Sequence, residues 1–346
     1  MIKLFLRKIL IRVLQPFGLY ITYYASAGRI YTSLSKQPVM VQEYELNRIF
    51  DTIGIAKNHK FYNDLLANFT SNWKLDIQDA KFIGFGAGAS SLSTFRKVKV
   101  NKKLLHEKIY FSSHDDVKRI SWFYENVFNL VQKSGIALPN VHKIYSGEVL
   151  TPIYTEFVEL IELDNTKKED SLFQFSKQLY QLSLTDTFQV ISDKAPKHIK
   201  DFKNHFEYKK NRSIAKDILN KNGISLEAIE LNVIQSRYVL THGDIQDTNA
   251  FQNNLLLDWD SVGVFPAGFD PAFLLFYLIL KDEKEEEFNI PNWIDLHYKK
   301  SIKENEWKSF QISVLYFLFV FLQTRIRKEK LEFLNRELIQ QLKKYT

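Results

Sequence analysis

The chain has 346 residues, 45% hydrophobic and 14% aromatic, a globular composition long enough for two domains or lobes. It holds no cysteine, which excludes disulfides, thiolate metal sites and cysteine nucleophiles, and its eight histidines include no His-x3-His pair of the kind that binds zinc. Six cations and no acid fall in residues 1–42, so nearly all of the +7 net charge sits there, and the almost neutral remainder excludes a nucleic-acid-binding body.

Met1 to Leu14 reads as a basic amphipathic helix. Ile2, Leu6, Ile9, Leu10 and Val13 share one side and Arg7, Lys8 and Arg12 occupy much of the other, with Leu4 and Ile11 interrupting the basic face; Pro16 and Gly18 end it. Recurrent charges and the lack of an 18-residue apolar run exclude a transmembrane span. Three readings stay open: a peripheral membrane contact through residues 1–24, a helix packed on the protein body, or a signal peptide ending near Ala25-Ser26-Ala27. The first places the protein in the cytoplasm, at the inner face of the cell membrane. Val41 to Ile53 and Phe61 to Phe69 carry helical patterns to which no chemistry attaches, so residues 1–80 form an N-terminal helical extension.

Gly84, Gly86 and Gly88 follow an apolar run and precede Ser90, Ser91 and the strand-like Thr94 to Val100. A glycine-rich turn lets backbone N–H groups approach phosphate oxygens, yet this spacing fits neither phosphate-loop form and alone describes a β-turn. Leu104 to Phe111 is the next strand, carrying Lys108. Ser113-x-x-Asp116 is a capping box opening a helix that runs to about Lys133 and ends at Gly135; Glu125 lies on it, away from the stripe of Ile120, Phe123, Val127 and Val131. Ile153 to Val158 is β-prone and includes Glu156. A helix follows around Leu172 to Leu182, and residues 190–230 are Lys-rich.

The most informative stretch is Tyr238 to Asp260, with His242-Gly243-Asp244, Gln246, Asn249 and Asp258-Trp259-Asp260. Asn253-Asn254 reads as a two-residue hairpin turn, because asparagine tolerates positive φ. Centring the turn there pairs Phe251 with Leu256, Ala250 with Leu257 and Asn249 with Asp258, so that an amide oxygen and a carboxylate share one face. Such hard oxygen ligands suit Mg²⁺. Downstream, Gly268 to Ala272 contains Asp270, Asp282 to Glu287 is an acidic run, Val314 to Leu322 is an apolar run too short to span a bilayer, and Arg325 to Lys344 is a charged amphipathic helix.

His242-Gly-Asp244-x4-Asn249 followed by Leu-Leu-Leu-Asp258-Trp-Asp260 resembles the catalytic core of the aminoglycoside phosphotransferase and choline kinase superfamily, distant relatives of protein kinases. The resemblance covers roughly residues 81–280 and is strong over 238–272. It implies an α+β, bilobal protein kinase-like fold: a small antiparallel-sheet N-lobe over 81–158 and a mainly helical C-lobe over 159–346. It further implies an ATP- and Mg²⁺-dependent kinase acting on a hydroxyl-bearing small-molecule or saccharide acceptor. In that scheme Asp244 takes the hydroxyl proton, and Asn249 and Asp258 hold magnesium with help from Asp260. His242 locks the loop, and Gln246 stands where many members have histidine. Gly86, Gly88, Ser90 and Ser91 cover the nucleotide, Lys108 reaches its phosphates with Glu125 orienting it, and the backbone near Glu156 and Val158 meets adenine. Asp270 supports the catalytic loop. Two departures are Ser183, where relatives follow the leucine with histidine, and Pro271, where they carry leucine.

Overall fold

The computed structural model describes residues 19–23, 28–32, 43–55, 59–70, 72–85, 90–164, 168–281, 289–326 and 328–345. The expected helix over Met1 to Leu14, the glycines Gly86 and Gly88, and the acidic run Asp282 to Glu287 lie outside them. The chain divides into two compact units, Met1–Lys118 with Pro139–Glu159, and Arg119–Leu138 with Leu160–Thr346.

The first unit starts with a ribbon that the sequence did not announce: β1 (Leu19–Tyr23) runs antiparallel to β2 (Gly28–Thr32). The helical patterns that follow become α1 (Glu43–Ile55) and α2 (His59–Phe69). Five strands, β3 (Asp79–Phe85), β4 (Thr94–Val100), β5 (Lys103–Phe111), β6 (Val141–Ile144) and β7 (Leu150–Glu156), form an antiparallel sheet in the order β3-β4-β5-β7-β6. Asn101 and Lys102, both at positive φ, close the β4–β5 hairpin with a two-residue turn that sets Val100 against Lys103 and Arg96 against Glu107. Period-two alternation then buries Leu105, Glu107 and Ile109 on one face of β5 and sends His106 and Lys108 to the other.

The buried face meets the two helices. Leu46, Ile49 and Phe50 of α1 and Tyr62 and Leu66 of α2 pack with Leu92, Ile109, Phe111 and Leu150. Each such side chain contributes about 1.5–3 kcal/mol when withdrawn from water. Within this apolar layer the Arg96 guanidinium grips Glu107 in a bidentate pair at 2.6 and 2.7 Å, both side chains 0% exposed. The Tyr154 hydroxyl donates to Glu107 at 2.8 Å, Asn63 accepts from Arg96 at 3.1 Å, and the guanidinium lies 3.7 Å from the Tyr62 ring centroid. Polar ties extend the helix–sheet contact: Asn47 accepts from the Ser93 amide at 2.8 Å, and Asp51 accepts from the hydroxyls of Ser93 and Thr94.

The expected single helix from Ser113 to Lys133 is two helices, α3 (Asp115–Asn126) and α4 (Phe128–Lys133), broken at Val127 with φ −122° and ψ −12°. Ser113 does not cap α3; its hydroxyl donates to Glu43 instead. Gly135, at φ 94°, ends the segment as its sequence position requires.

In the second unit, α5 (Lys168–Leu182), α6 (Asp186–Lys194), α7 (Lys197–Lys200), α8 (Phe206–Lys221) and α9 (Leu226–Ile234) precede two small ribbons. One pairs β8 (Tyr238–Thr241) with β11 (Gly263–Pro266), and between them in sequence lies the hairpin of β9 (Ala250–Phe251) and β10 (Leu255–Leu256). The chain ends in α10 (Phe269–Lys281), α11 (Ile290–Tyr298), α12 (Glu304–Phe321) and α13 (Lys328–Leu342). The apolar run near Leu322 forms the buried half of α12, whose Phe317 and Phe321 contact Phe269 and Phe273 of α10 at ring separations of 4.9 and 5.7 Å. Ser183 has a structural role of its own: its hydroxyl accepts from the Leu240 amide at 2.8 Å and donates to the Leu179 carbonyl, tying α5 to β8. Among the described residues no helix is long and apolar enough to cross a membrane.

Candidate active site

The loop leaving β8 is held from both sides by buried polar groups. Asp270, at the start of α10, accepts from the amides of His242 and Gly243 at 2.8 and 2.9 Å. Burial pushes its carboxyl up to about 7, with the two amides pulling the other way. His205 donates from Nε2 to the Gly243 carbonyl at 2.9 Å, and burial lowers its pKa to about 3, so the ring is neutral. Gly243 has φ 81°, and a Cβ there would lie 2.4 Å from the Ser261 carbonyl oxygen; only glycine fits.

His242 is fully buried beside Trp259, their rings 4.6 Å apart. Nδ1 accepts from the Asp244 amide at 3.2 Å, leaving Nε2 to donate to the Leu257 carbonyl at 2.8 Å. Burial lowers its pKa to about 4, and both nitrogens are committed to backbone. The ring fastens the loop to the hairpin.

The Asp244 carboxylate accepts from Gln246 Nε2 at 3.0 Å to each oxygen and from Asn249 Nδ2 at 3.1 Å. The same Asn249 nitrogen donates to the Asp244 carbonyl at 2.9 Å. Burial first, and then the charges of Asp258 and Asp260, raise the Asp244 pKa against the opposing side-chain amides of Gln246 and Asn249, to a net value of about 7. The sequence-predicted residues Asp244, His242, Gln246, Asn249, Asp258 and Asp260 are thereby gathered round one carboxylate.

The hairpin register differs from the expected one by a residue. Phe251 pairs with Leu255 and Ala250 with Leu256, so Gln252-Asn253-Asn254 is a three-residue loop and Leu257, whose amide donates to the Asn249 carbonyl at 2.8 Å, stands opposite Asn249. Asn253 and Asn254 have positive φ, as their type allows. The segment before β6 sets the register: Ala137 donates to the Asn254 carbonyl at 2.8 Å and accepts from the Leu256 amide at 3.2 Å, and Asn254 Nδ2 donates to the Gly135 carbonyl. A one-residue slip alone turns a side chain to the opposite face. Asp258 instead takes a left-handed backbone, φ 62° and ψ 61°, which redirects the chain into the 3-10 turn Trp259–Ser261.

Asp247 lies in the same loop. It receives the ammonium groups of Lys168 at 2.5 Å and Lys281 at 2.6 Å together with the Tyr277 hydroxyl. Burial works against its charge, but these hydrogen bonds outweigh burial and hold the carboxyl at about 2.

In the first unit, Ser90 and Ser91 are buried, the Ser90 carbonyl accepting from the Phe111 amide at 2.9 Å and Ser91 bridging to Tyr110. Lys108 is half-buried, its ammonium 5.1 Å from the Tyr110 ring centroid and 5.9 Å from that of Phe95. Glu156 ends β7 and accepts from Asn140 at 3.0 Å, and Val158 follows outside the strand. Glu125 belongs to the second unit and is exposed on α3.

Sequence reasoning missed His205 and the partners of Asp247, which come from 30 to 79 positions away along the chain and leave no local signal. Arg96 and Glu107 were legible in principle, because a two-residue turn at Asn101-Lys102 sets them opposite each other on a face otherwise valine and leucine.

No protein-family model matches the chain, and no curated protein does. Among solved structures it is similar to a microcompartment-associated aminopropanol kinase, at 10% identity and TM-score 0.50 over 78% of this chain and 91% of that one. It is also similar to choline kinase from Cryptosporidium parvum Iowa II (13% identity, TM-score 0.45, 83% and 96% covered). A third is a spectinomycin phosphotransferase solved with ADP and spectinomycin (17% identity, TM-score 0.41, 78% and 90% covered). With its five-stranded antiparallel unit and its largely helical second unit, the chain has the α+β, protein kinase-like fold of that aminopropanol kinase.

Proposed function

We propose that this protein is an ATP- and Mg²⁺-dependent phosphotransferase that phosphorylates a hydroxyl of a small molecule or saccharide. The particular acceptor we favour is a sugar of an envelope glycolipid, met at the cytoplasmic membrane face through residues 1–24. The observation that carries the enzyme reading is Asp244: a carboxylate fixed by two side-chain amides on a loop pinned at His242 and Gly243, with a pKa of about 7, close to the pH at which a general base works best.

The acceptor oxygen forms a bond to the γ-phosphorus as the bond to the β–γ bridging oxygen of ATP breaks. The hydroxyl proton passes to Asp244, leaving ADP and a phosphate monoester. Gln246 and Asn249 orient the receiving carboxylate, and His242, neutral and doubly bonded to backbone, transfers no proton.

Asn249, Asp258 and Asp260 are the donors for magnesium. Among the described residues no group of three or more His, Cys, Asp and Glu could hold a metal ion alone. A partial shell of an amide and two carboxylates fits an ion that keeps phosphate and water ligands, and the influence of the Asp258 and Asp260 charges on Asp244 supports that reading. When bound, magnesium would neutralise charge on the phosphates. In the first unit Gly86, Gly88, Ser90, Ser91 and Lys108 are assigned to the nucleotide phosphates, and the backbone near Glu156 and Val158 to adenine.

The test is transfer of radiolabelled γ-phosphate into cell-envelope extract and, in parallel, into soluble metabolites. Label in a glycolipid fraction supports the full reading. Label only in a soluble alcohol keeps the kinase and removes the membrane acceptor, and no label in either removes the enzyme.

A further inference from the structure

The cluster at Asp247 bears on which acceptors the loop accepts. Lys168 begins α5 and Lys281 ends α10, and both ammonium groups converge on the one Asp247 carboxylate. Among the described residues neither has a second carboxylate within ion-pair distance, so two positive charges share one negative charge. The Asp247 side chain is 9% exposed, whereas those of Lys168 and Lys281 are 31% and 52% exposed. The acid is sealed in, and the two cations face water.

The cluster lies close to the proposed base. Asp247 is three positions beyond Asp244, and the Tyr277 hydroxyl bonded to it feels the Asp244 charge. Lys281 also lies over the Tyr277 ring, 4.7 Å from its centroid, which fixes where its ammonium can sit. A molecule presenting a hydroxyl to Asp244 therefore has a doubly cationic surface as its neighbour.

We propose that Lys168 and Lys281 are specificity-determining residues that receive an anionic group, a phosphate or a carboxylate, on the acceptor. The acceptor class is then a phosphorylated or acidic saccharide or polyol. Asp247 holds the two ammonium groups together and prevents them from separating by mutual repulsion. This rests on the phosphotransferase reading above, and its chemistry adds no step to that transfer.

The experiment measures ADP release with ATP and Mg²⁺ over three acceptor sets: sugar phosphates and sugar acids, the matching neutral sugars, and cationic amino alcohols and amino sugars. Wild type is compared with Lys281→Ala, Lys281→Arg and Lys168→Ala. The expected result is turnover confined to anionic acceptors, a KM for the acceptor raised about tenfold or more by either alanine variant, an unchanged KM for ATP, and recovery in Lys281→Arg. A role confined to loop structure would instead lower kcat evenly for every acceptor and would leave the preference of wild type undirected by charge, which overturns the proposal. Preference for cationic acceptors also overturns it. Should the alanine variants fail to fold, competition in wild type decides: inorganic phosphate inhibiting competitively against the acceptor supports the site, and no such inhibition removes it. Absence of ATP turnover with every acceptor, by contrast, is failure of the phosphotransferase reading itself.

Discussion

Two of the charged clusters among the described residues are built on opposite principles. In the first unit Arg96 and Glu107 are wholly withdrawn from water, and each finds its counter-charge in the other, with Tyr154 and Asn63 adding hydrogen bonds and Arg96 Nη1 left without one. In the second, the Asp244 carboxyl is driven up to about 7, first by burial and then by the like charges of Asp258 and Asp260. The first arrangement balances its charges within the protein. The second sets like charges near one another, an arrangement more common at functional sites than in structural ion pairs.

The sharpest way to break this contrast is to neutralise the second cluster. Asp244→Asn keeps the shape and removes the proton acceptor. Turnover should fall by roughly 10²–10⁴-fold while nucleotide affinity, read by calorimetry, stays as in wild type. Undiminished turnover would take Asp244 out of the mechanism. For the first cluster the loss should appear in stability. Glu107→Ala strands a buried guanidinium and should cost about 3–5 kcal/mol in urea unfolding, whereas Arg96→Met combined with Glu107→Leu should recover most of that loss. A small cost for the single variant would mean that water reaches the pair. A smaller effect is expected at Asp258: Mg²⁺ with a non-hydrolysable ATP analogue should raise the melting temperature of wild type and shift that of Asp258→Ala much less.

The smallest effect belongs to Glu230, a third kind of charge, which takes hydrogen bonds from Arg212, Tyr208, Lys203 and Tyr316. Burial alone would raise its pKa; these partners outweigh it and hold the carboxyl at about 2, below the ordinary 4.5. A carboxyl depressed in the folded state adds stability above its unfolded pKa and loses it as pH falls from about 4.5 towards 2. The urea midpoint should decline across that window, and Glu230→Gln should flatten the decline.

What the sequence disclosed follows the reach of the forces involved. Chain-local features were readable: α1 and α2 from their apolar period, the apolar run in α12, and the spacing from His242 through Asn249. Asn253 and Asn254 do take positive φ, yet the hairpin register went astray by one residue, because it is decided by Ala137 and Gly135, more than a hundred positions upstream. Ser113 likewise has the sequence of a cap and serves Glu43, 70 positions away. The backbone supports of the loop divide in the same manner. Asp270 falls within the recognisable motif, while His205 comes from a Lys-rich stretch with nothing to mark it.

The two helices ahead of the sheet carry a practical implication. Nine of their apolar side chains, from Leu46 to Phe69, cover the same surface as Leu92, Ile109, Phe111 and Leu150, and Asn47 and Asp51 stitch them to Ser93 and Thr94. A recombinant fragment beginning at the sheet would leave that greasy surface and the Arg96 pocket open to solvent. Insolubility of such a fragment would reflect a missing lid on its interior, and expression trials are best begun upstream of Glu43.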